Sequence, residues 1–195
     1  MTTRQNADDI VVSTRIRLAR NFRDFPFSSK LSDEQAQKII TLVYDALKTS
    51  PALEKDLTLC EMSDLSDLQK QSLVERHLIS PEFARKTSPH ALILSKDEHI
   101  SIMVNEEDHL RLQIIRPGLC PEECLKEAVL IDKLLDETVA IAFSNELGYL
   151  THCPTNLGTG LRASVMMHLP MLTRMGEIRQ MMSEASKLGL TVRGL

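Results

Sequence analysis

Residues 153–162 read Cys-Pro-Thr-Asn-Leu-Gly-Thr-Gly-Leu-Arg, which places a thiol, two glycines and a guanidinium group close together in the chain. Glycine lets backbone N–H groups approach an anion closely because it carries no Cβ atom. An arginine after such a loop can hold phosphate through two parallel hydrogen bonds, and cationic neighbours lower the pKa of a cysteine thiol. The run therefore favours a phosphate site beside a thiolate about as strongly as a plain turn between two strands.

A second segment carries two arginines at strand spacing. Ser13-Thr-Arg-Ile-Arg17 follows the apolar run Ile10-Val11-Val12. Alternate side chains of a strand share a face, so Arg15 and Arg17 are expected to point the same way. Two neighbouring guanidinium groups repel each other unless a polyanion lies between them. An exposed basic edge is the alternative interpretation.

A third segment is acidic. Asn105-Glu-Glu-Asp-His-Leu-Arg111 follows the β-like run from Ile100 to Val104. A solvated turn is the usual explanation of three consecutive acids. These acids, however, stand at the end of a predicted strand, where catalytic groups often gather. The segment is therefore a candidate for acid–base chemistry.

The three segments together resemble the signature segments of the ATP:guanidino phosphotransferases, the family of creatine kinase and arginine kinase. They occur in the family's order and span most of the chain. Within the family, Arg76-His-Leu-Ile-Ser-Pro81 and Arg162-Ala-Ser-Val-Met-Met-His-Leu-Pro170 are most similar to the bacterial protein arginine kinases. Only twelve residues precede Ser13, where creatine and arginine kinases carry a helical domain, and this difference favours the same branch.

The resemblance implies a role for each matching residue. Glu107 is implied to bind and deprotonate the substrate guanidinium, and Cys153 to orient that group as a thiolate, with Asn156 beside it. His77 is implied to lie near the base and ribose of the nucleotide, and the alternative interpretation is a histidine at a helix end whose ring is hydrated by solvent. The residues implied to bind ATP are Ser13, Arg15, Arg17, His77, Arg111 and Arg162.

The resemblance also implies cofactors and partners. ATP would donate the phosphoryl group, and Mg²⁺ would be bound mainly through the nucleotide, with no protein metal site. The implied partners are protein substrates with exposed arginines, a transcriptional repressor, a zinc-binding activator protein and a second copy in a homodimer, within stress-response protein quality control. The alternatives are a kinase of free arginine or another small guanidino compound, and a non-catalytic fragment that binds nucleotide or a partner protein.

Composition places the chain among ordinary globular proteins. Its 195 residues are 43% hydrophobic and 26% charged, enough for one substantial core. The net charge of −4 argues against a nucleic-acid binder. An apolar run of about 18 residues and a signal peptide are both missing from the sequence, so the cytoplasm is the expected compartment. Free thiols are expected at Cys60, Cys120, Cys124 and Cys153.

The apolar spacing predicts an α+β fold, an antiparallel β-sheet flanked by helices as in the phosphagen kinase catalytic domain. Strands are expected at 10–18, 57–62, 91–95, 100–104, 110–115, 149–151, 163–169 and from 190 onward. Helices are expected from Ser32 and at 66–77, 122–143 and 171–188. Methionines 166, 167, 171, 175, 181 and 182 are expected to form core and packing surface.

The domain boundaries follow from the same resemblance. Residues 1–8 are expected to form a disordered tail, and residues 9–195 the N-terminal portion of the guanidino kinase catalytic domain. In the family pattern, the segment that resembles Leu190-Thr-Val-Arg-Gly194 continues into a mobile loop, further strands and helices, and another phosphate-binding arginine. The chain is therefore expected to be a truncated product, an expression fragment or one half of a split protein.

Overall fold

Eight strands occur in the computed structural model, which describes residues 10–193. The predicted tail at residues 1–8 lies outside this range. The strands are β1 (Val11–Arg20), β2 (Leu57–Glu61), β3 (Ala91–Ser95), β4 (Ile100–Val104), β5 (Leu110–Pro117), β6 (Phe143–Ser144), β7 (Gly148–Tyr149) and β8 (Leu161–Met167). Six of them form one antiparallel sheet in the order β2-β3-β4-β5-β1-β8, and β6 pairs with β7.

Helices flank this sheet, which confirms the predicted α+β class. They are α1 (Asp33–Lys48), α2 (Pro51–Asp56), α3 (Asp67–Glu75), α4 (Pro81–Arg85), α5 (Pro121–Asp136), α6 (Pro170–Arg174) and α7 (Ile178–Lys187). The predicted start at Ser32 is confirmed, because its hydroxyl accepts the Gln35 N–H and the Gln35 side chain accepts the Ser32 N–H. Over the described range, none of the helices has the length and apolar character needed to span a bilayer.

The main core lies between one face of the sheet and helices α1 and α5. Apolar residues recur on these helices at spacings of three and four positions, so each helix presents one buried stripe to the sheet. The core side chains include Ile16, Leu18, Ile102, Leu112, Ile114, Ile39, Ile40, Val43, Ala128, Ile131 and Leu135. Full burial of a large aliphatic side chain contributes about 1.5–3 kcal/mol, so this face anchors β1 and β5 firmly.

The opposite face of the sheet is divided into two halves. Over β3 and β4, Leu92 and Met103 pack with Leu73 of α3 and Phe83 of α4 in a second, smaller core. Arg111 is paired with Met103 across the β4–β5 ladder, so the two side chains lie on the same face of the sheet. On this face, the strands β5, β1 and β8 carry mainly polar side chains. Helices α3 and α4 thus cover one half and leave the other half to the functional residues.

Helix α5 is shorter than predicted, and the prediction that it continues to residue 143 is wrong. It ends at Asp136. Val139 and Ile141 are still buried, but only the Val139 N–H continues the helical pattern, by donating to the Leu135 carbonyl oxygen, whereas Ile141 forms a β-bridge with Phe22. The Ala142 N–H donates to the Asn21 carbonyl oxygen. The apolar spacing therefore indicates burial correctly at Val139, but residues 140–142 pair with the segment after β1 instead of continuing the helix.

The C-terminal prediction of one helix over 171–188 is also wrong. Gly176 adopts φ +77°, a left-handed conformation that ends α6 before α7 begins. Residues 190–193 form no strand, and β7 ends at Tyr149 rather than residue 151. The methionines expected in packing are half-buried or exposed among the described residues, for example Met171 and Met175.

Candidate active site

Strand β1 places the predicted arginines on the polar half of the sheet. Arg15 and Arg17 alternate with Ile16 and Leu18, which face the core. Antiparallel register puts Arg17 opposite Arg162 of β8. On the other side of β1, Arg111 of β5 pairs with Ala19, the next residue on the same face as Arg17. The prediction that the two β1 arginines share a face is confirmed. The arginine cluster is thus Arg15, Arg17, Arg111 and Arg162.

The arginine cluster is electrostatically unfavourable in the absence of an anion. Burial, together with repulsion by Arg15, Arg111 and Arg162, lowers the pKa of Arg17 to about 9. Burial and the same kind of repulsion lower the pKa of Arg15. Within the part of the chain that the structure describes, the buried Nε of Arg17 has no hydrogen-bond partner. Since Arg17 remains protonated at neutral pH, a bound polyanion would offset the repulsion and satisfy this donor.

A cleft of about 170 Å³ opens where the arginine cluster meets the 105–109 loop and the 153–160 loop. It collects most of the predicted site residues. Its lining comprises Arg17, Leu18, Ala19, Glu106, Glu107, Asp108, Arg111, Cys153, Thr155, Asn156, Gly160 and Arg162. Arg15 lies next to the cleft, on the same face of β1. Segments far apart in sequence thus contribute guanidinium, carboxylate and thiol groups to one space.

The three consecutive acids have three different environments. Glu106 accepts hydrogen bonds from Arg111 Nη1 at 2.7 Å and from Ser80 Oγ at 2.5 Å. Asp108 is buried and accepts from Asn21 Nδ2 at 2.6 Å and from the His152 N–H at 2.7 Å. Both carboxylates are therefore committed to holding the protein together.

Glu107 differs from its neighbours. Its side chain is 49% exposed, and among the described residues the nearest histidine ring is that of His152, with Nδ1 at 3.8 Å from Oε1. Among the described residues, the Glu107 carboxylate accepts no hydrogen bond. It is therefore the one carboxylate of the three that can bind a substrate group without breaking an existing interaction.

The loop that carries the acids is braced at its base. Asn105 adopts φ +61°, and its side-chain amide donates to the Ala36 carbonyl at 2.9 Å and the Pro89 carbonyl at 3.2 Å. The Lys86 ammonium group donates to the carbonyl oxygens of Asn105 at 2.6 Å and Glu106 at 2.9 Å. These contacts hold the backbone from which Glu107 projects, while the Glu107 side chain itself stays open to solvent.

The second wall of the cleft is the loop that contains Cys153. The Cys153 sulfur lies 3.0 Å from Thr155 Oγ1, and its carbonyl oxygen accepts from Thr151 Oγ1 at 2.9 Å. The Asn156 N–H also donates to this carbonyl at 3.0 Å, within a turn of 3-10 helix. Asp108 connects this loop to the acid loop through the His152 N–H. The thiol and the free carboxylate are thus held on neighbouring, linked loops.

Gly160 joins this loop to β1. It adopts φ +60°, and a Cβ atom there would lie 2.6 Å from the Ala19 carbonyl oxygen. Its carbonyl accepts the Ala19 N–H at 2.8 Å. The sequence pattern suggested that the glycines serve an anion. At position 160, the close approach to β1 is by itself sufficient to require a glycine, with or without a bound anion.

A buried ion pair supports the same loop from below. Arg20 donates from Nε and Nη2 to the two carboxylate oxygens of Asp132 on α5, at 2.9 and 2.8 Å. Arg20 Nη1 donates to the Thr159 carbonyl at 3.1 Å, and its guanidinium carbon lies 3.5 Å from the centre of the Tyr149 ring. A single arginine therefore connects α5, β7 and the 153–160 loop, which is called the cleft loop below.

Three predicted nucleotide-binding residues are not in the cleft lining, namely Arg15, which lies next to the cleft, Ser13 and His77. Ser13 lies on the arginine-bearing face at the far end of β1, opposite Pro117. His77 follows α3, is exposed and adopts φ +61°. Its carbonyl oxygen accepts from Gln113 Nε2 at 3.2 Å, and Gln113 pairs with Arg17 across the sheet. His77 therefore borders the arginine-bearing face, next to the strand that contains Arg111.

Several residues that shape the cleft were not identified from the sequence. They are Arg20, Asn21, Lys86, Asp108 and Asp132. Asp132 gave a usable signal, since a carboxylate within the apolar stripe of a helix needs a buried cationic partner. Asp108 gave none beyond its place in the acidic run, because its partners are an asparagine and a backbone N–H remote in sequence.

Asp108→Ala is expected to destabilise the chain by about 1–3 kcal/mol, because it leaves the His152 N–H and one Asn21 amide contact without an acceptor. Urea unfolding measures the change. Asp24→Ala is the matched control, since Asp24 is 73% exposed and makes only a 3.5 Å ion pair with Arg23. Equal unfolding midpoints for both variants would show that Asp108 does not link the two loops.

The donor set gives little support for a metal ion bound by protein alone. Within residues 10–193, no group of three or more histidine, cysteine, aspartate or glutamate side chains is placed to hold one. Glu106 and Asp108 already accept hydrogen bonds. A divalent cation at this cleft would have to take most of its oxygen ligands from phosphates and water.

Comparison with known proteins identifies the family. Residues 38–195 match the family described as ATP:guanido phosphotransferase, C-terminal catalytic domain. The protein-arginine kinase of Caldanaerobacter subterraneus subsp. tengcongensis is 47% identical over 188 residues, which cover 96% of this chain and 56% of that protein. That of Geobacillus stearothermophilus is 49% identical over 187 residues, covering 95% and 52%. The chain spans about half the length of these relatives.

Solved structures agree with the fold. The substrate-free duplicated taurocyamine kinase from Schistosoma mansoni superposes with a TM-score of 0.76 at 27% identity, over 89% of this chain and 26% of that one. A lombricine kinase superposes with a TM-score of 0.74 at 24% identity, over 86% and 50%. The family match covers most of the chain, and the chain belongs to the ATP:guanido phosphotransferase family.

Proposed function

We propose that this chain carries catalytic residues of a kinase that transfers the γ-phosphoryl group of ATP to the guanidinium group of arginine residues in proteins. The observation that carries the proposal is the cleft in which the uncommitted carboxylate of Glu107 lies with Arg17, Arg111 and Arg162. Family membership supports ATP as the donor. Identities of 47% and 49% to proteins named protein-arginine kinase support arginine in proteins as the acceptor.

The arginine cluster would bind the nucleotide phosphates. Each guanidinium can form two parallel hydrogen bonds to phosphate oxygens. Four cations fixed on adjacent strands would also neutralise the charge that spreads over the transferred group in the transition state. We place Ser13 and His77 at the nucleoside end of the site, since both border the arginine-bearing face outside the cleft.

Glu107 would act on the acceptor. A free guanidinium has a pKa above about 12 and is a poor nucleophile while protonated. A carboxylate that binds it can orient the attacking nitrogen and accept a proton as the N–P bond forms. The exposure of Glu107, at 49%, supports this role, because a substrate can reach it from solvent.

Cys153 and Asn156 would complete the acceptor site. Both line the cleft with Glu107. A thiolate at Cys153 would place a second negative charge against the guanidinium, and the Asn156 side chain would supply a hydrogen-bonding group beside it. The thiolate state of Cys153 stays a prediction.

Mg²⁺ fits this site as a partner of the nucleotide. Held mainly through the nucleotide, it would supply neutralisation of the phosphate charge. Among the protein groups, the arginine cluster would neutralise the phosphate charge. Glu106 and Asp108 would contribute little to binding the metal ion, since both are engaged in structural hydrogen bonds.

The family resemblance extends the proposal to partners and location. We infer protein substrates with exposed arginines, a transcriptional repressor and a zinc-binding activator as partners, a homodimeric assembly, and work in the cytoplasm, where ATP is available. The role would belong to stress-response protein quality control. Similarity to a taurocyamine kinase and a lombricine kinase keeps a small guanidino compound as the second candidate acceptor.

A chimera tests the proposed function independently of the length of the chain. Residues 10–193 replace the matching part of the Geobacillus stearothermophilus protein-arginine kinase, to which the chain is 49% identical. Phosphoarginine formed from ATP is measured on casein and, separately, on free arginine. Phosphorylation of casein supports the proposal. Phosphorylation of free arginine alone would support the second candidate, and an inactive but folded chimera would contradict both.

Arg17→Met is expected to weaken ATP binding by about 10- to 150-fold, because a charge-assisted hydrogen bond contributes about 1.5–3 kcal/mol. The free chain should not lose stability, since the substitution removes a cation that burial and three neighbouring arginines disfavour. Calorimetry measures the affinity, and urea unfolding measures the stability. Arg23→Met is the control, with its side chain 71% exposed. Unchanged affinity in Arg17→Met would exclude Arg17 from the phosphate site.

A further inference from the structure

Two cysteines meet at the start of α5, outside the proposed catalytic cleft. Cys120 is the N-cap residue of this helix and Cys124 lies one turn later. Residues four positions apart on a helix share a side, and the two sulfur atoms are 3.8 Å apart. Cys60 and Cys153 lie on β2 and on the cleft loop respectively. The pair is therefore close enough to react with little rearrangement.

The two thiols have unequal environments. Cys120 is half-buried at the start of the helix, and its sulfur lies 3.5 Å from the Pro117 carbonyl oxygen, so part of the side chain is open to solvent. Cys124 is fully buried. Burial and the contact with Cys120 raise the pKa of Cys124 to about 12. Cys120 is thus the thiol that a small disulfide in solution reaches first, and Cys124 keeps its proton until its partner has reacted.

The backbone holds Cys120 in place while leaving its geometry adjustable. Its N–H donates to Thr14 Oγ1 at 3.1 Å, and that hydroxyl donates to the Gly118 carbonyl oxygen at 2.6 Å. Cys120 itself has φ −140° and ψ 54°, outside the helical region. A change in its side-chain and backbone torsions can therefore bring the sulfurs to a bonding distance of about 2.05 Å without unwinding α5.

We propose that Cys120 and Cys124 form a redox-modification site that closes to a reversible intramolecular disulfide. The oxidant is a low-molecular-weight disulfide such as oxidised glutathione. The Cys120 thiolate attacks one glutathione sulfur, which forms a mixed disulfide and releases one glutathione thiolate. Cys124 then gives up its proton and attacks the Cys120 sulfur, which releases the second glutathione. Two protein thiols are oxidised, and one glutathione disulfide is reduced to two thiols.

Peptide mapping of the full chain tests the proposal. Trypsin is expected to release residues 112–126 as one peptide, because proline follows Arg116. This peptide contains Cys120 and Cys124, whereas Cys60 and Cys153 fall in separate peptides. After incubation with oxidised glutathione and alkylation of free thiols, peptide 112–126 should be unalkylated and lighter by two hydrogen atoms. Reduction with dithiothreitol should restore two alkylation sites.

Single variants distinguish the attacking thiol from the resolving thiol. In Cys124→Ser, glutathione should stay attached to Cys120, because no second thiol can displace it. In Cys120→Ser, the buried Cys124 should remain a free thiol. Cys60→Ser is the control and should leave the internal disulfide unchanged. The proposal would be overturned if the unsubstituted chain kept two alkylatable thiols in peptide 112–126, retained glutathione on Cys120, or linked Cys120 to Cys60, to Cys153 or to a second chain.

Discussion

Glu107→Gln is expected to reduce phosphoryl transfer by about 10²–10⁴-fold, the usual contribution of a general base, while ATP binds with nearly unchanged affinity. Glutamine keeps the shape of the side chain and loses only the charge and the proton-accepting oxygen. The structural cost should be small, since the Glu107 side chain is 49% exposed and its carboxylate lies 3.8 Å from the His152 ring, beyond hydrogen-bond distance. The arginine cluster stays intact on β1, β5 and β8.

Two measurements and two further variants make this expectation specific. Transfer is measured in the Geobacillus chimera by phosphoarginine formation, and ATP affinity is measured on the chain by calorimetry. Glu107→Asp keeps a carboxylate and should retain part of the transfer rate. Glu82→Gln removes the same charge from an exposed position on α4 and should change neither quantity. A large loss of ATP affinity in Glu107→Gln would mean that this acid serves the nucleotide or the fold instead.

The part of the site that depends on local strand geometry could be predicted from the sequence, and the part that depends on the order of the strands could not. The alternation in Ser13-Thr-Arg-Ile-Arg17 was sufficient to place Arg15 and Arg17 on one face, because strand geometry depends only on local spacing. The cleft then combines Arg17 with Arg111 and Arg162 through sheet order. Sheet order is not local, and for this chain it was implied by the resemblance to a family rather than by apolar spacing.

The features that escaped prediction depend on tertiary partners. The sequence does not distinguish the roles of the three consecutive acids at 106–108. In the structure, Ser80 and Arg111 donate hydrogen bonds to the first acid and the His152 N–H donates to the third, which leaves the second one free. The end of α5 was misjudged for a related reason. Val139 lies four positions after Leu135 and is buried as the helical spacing predicts, while the backbone of residues 140–142 pairs with the segment that follows β1. A hydrophobic pattern reports burial, and here it could not distinguish helical from extended backbone.

Asp132→Ala is expected to destabilise the chain by about 3–5 kcal/mol, the cost of removing one partner of a buried ion pair. Arg20 would keep its charge with its side chain only 3% exposed, and two of its donors would lose their acceptor. Asp136→Ala, at an exposed position of the same helix, is the matched control and should shift stability by no more than about 0.5 kcal/mol. Urea unfolding gives both values.

A double variant separates the ion pair's contribution to stability from its effect on the cleft. Arg20→Met with Asp132→Leu replaces both charges by apolar groups of similar size, which is often neutral for stability. It should therefore unfold at a urea concentration close to that of the unsubstituted chain. The Thr159 carbonyl would still lose the hydrogen bond from Arg20 Nη1. Since the strand after Thr159 carries Arg162, ATP affinity should fall in the double variant despite restored stability. Full recovery of both quantities would show that Arg20 stabilises the fold without positioning the cleft.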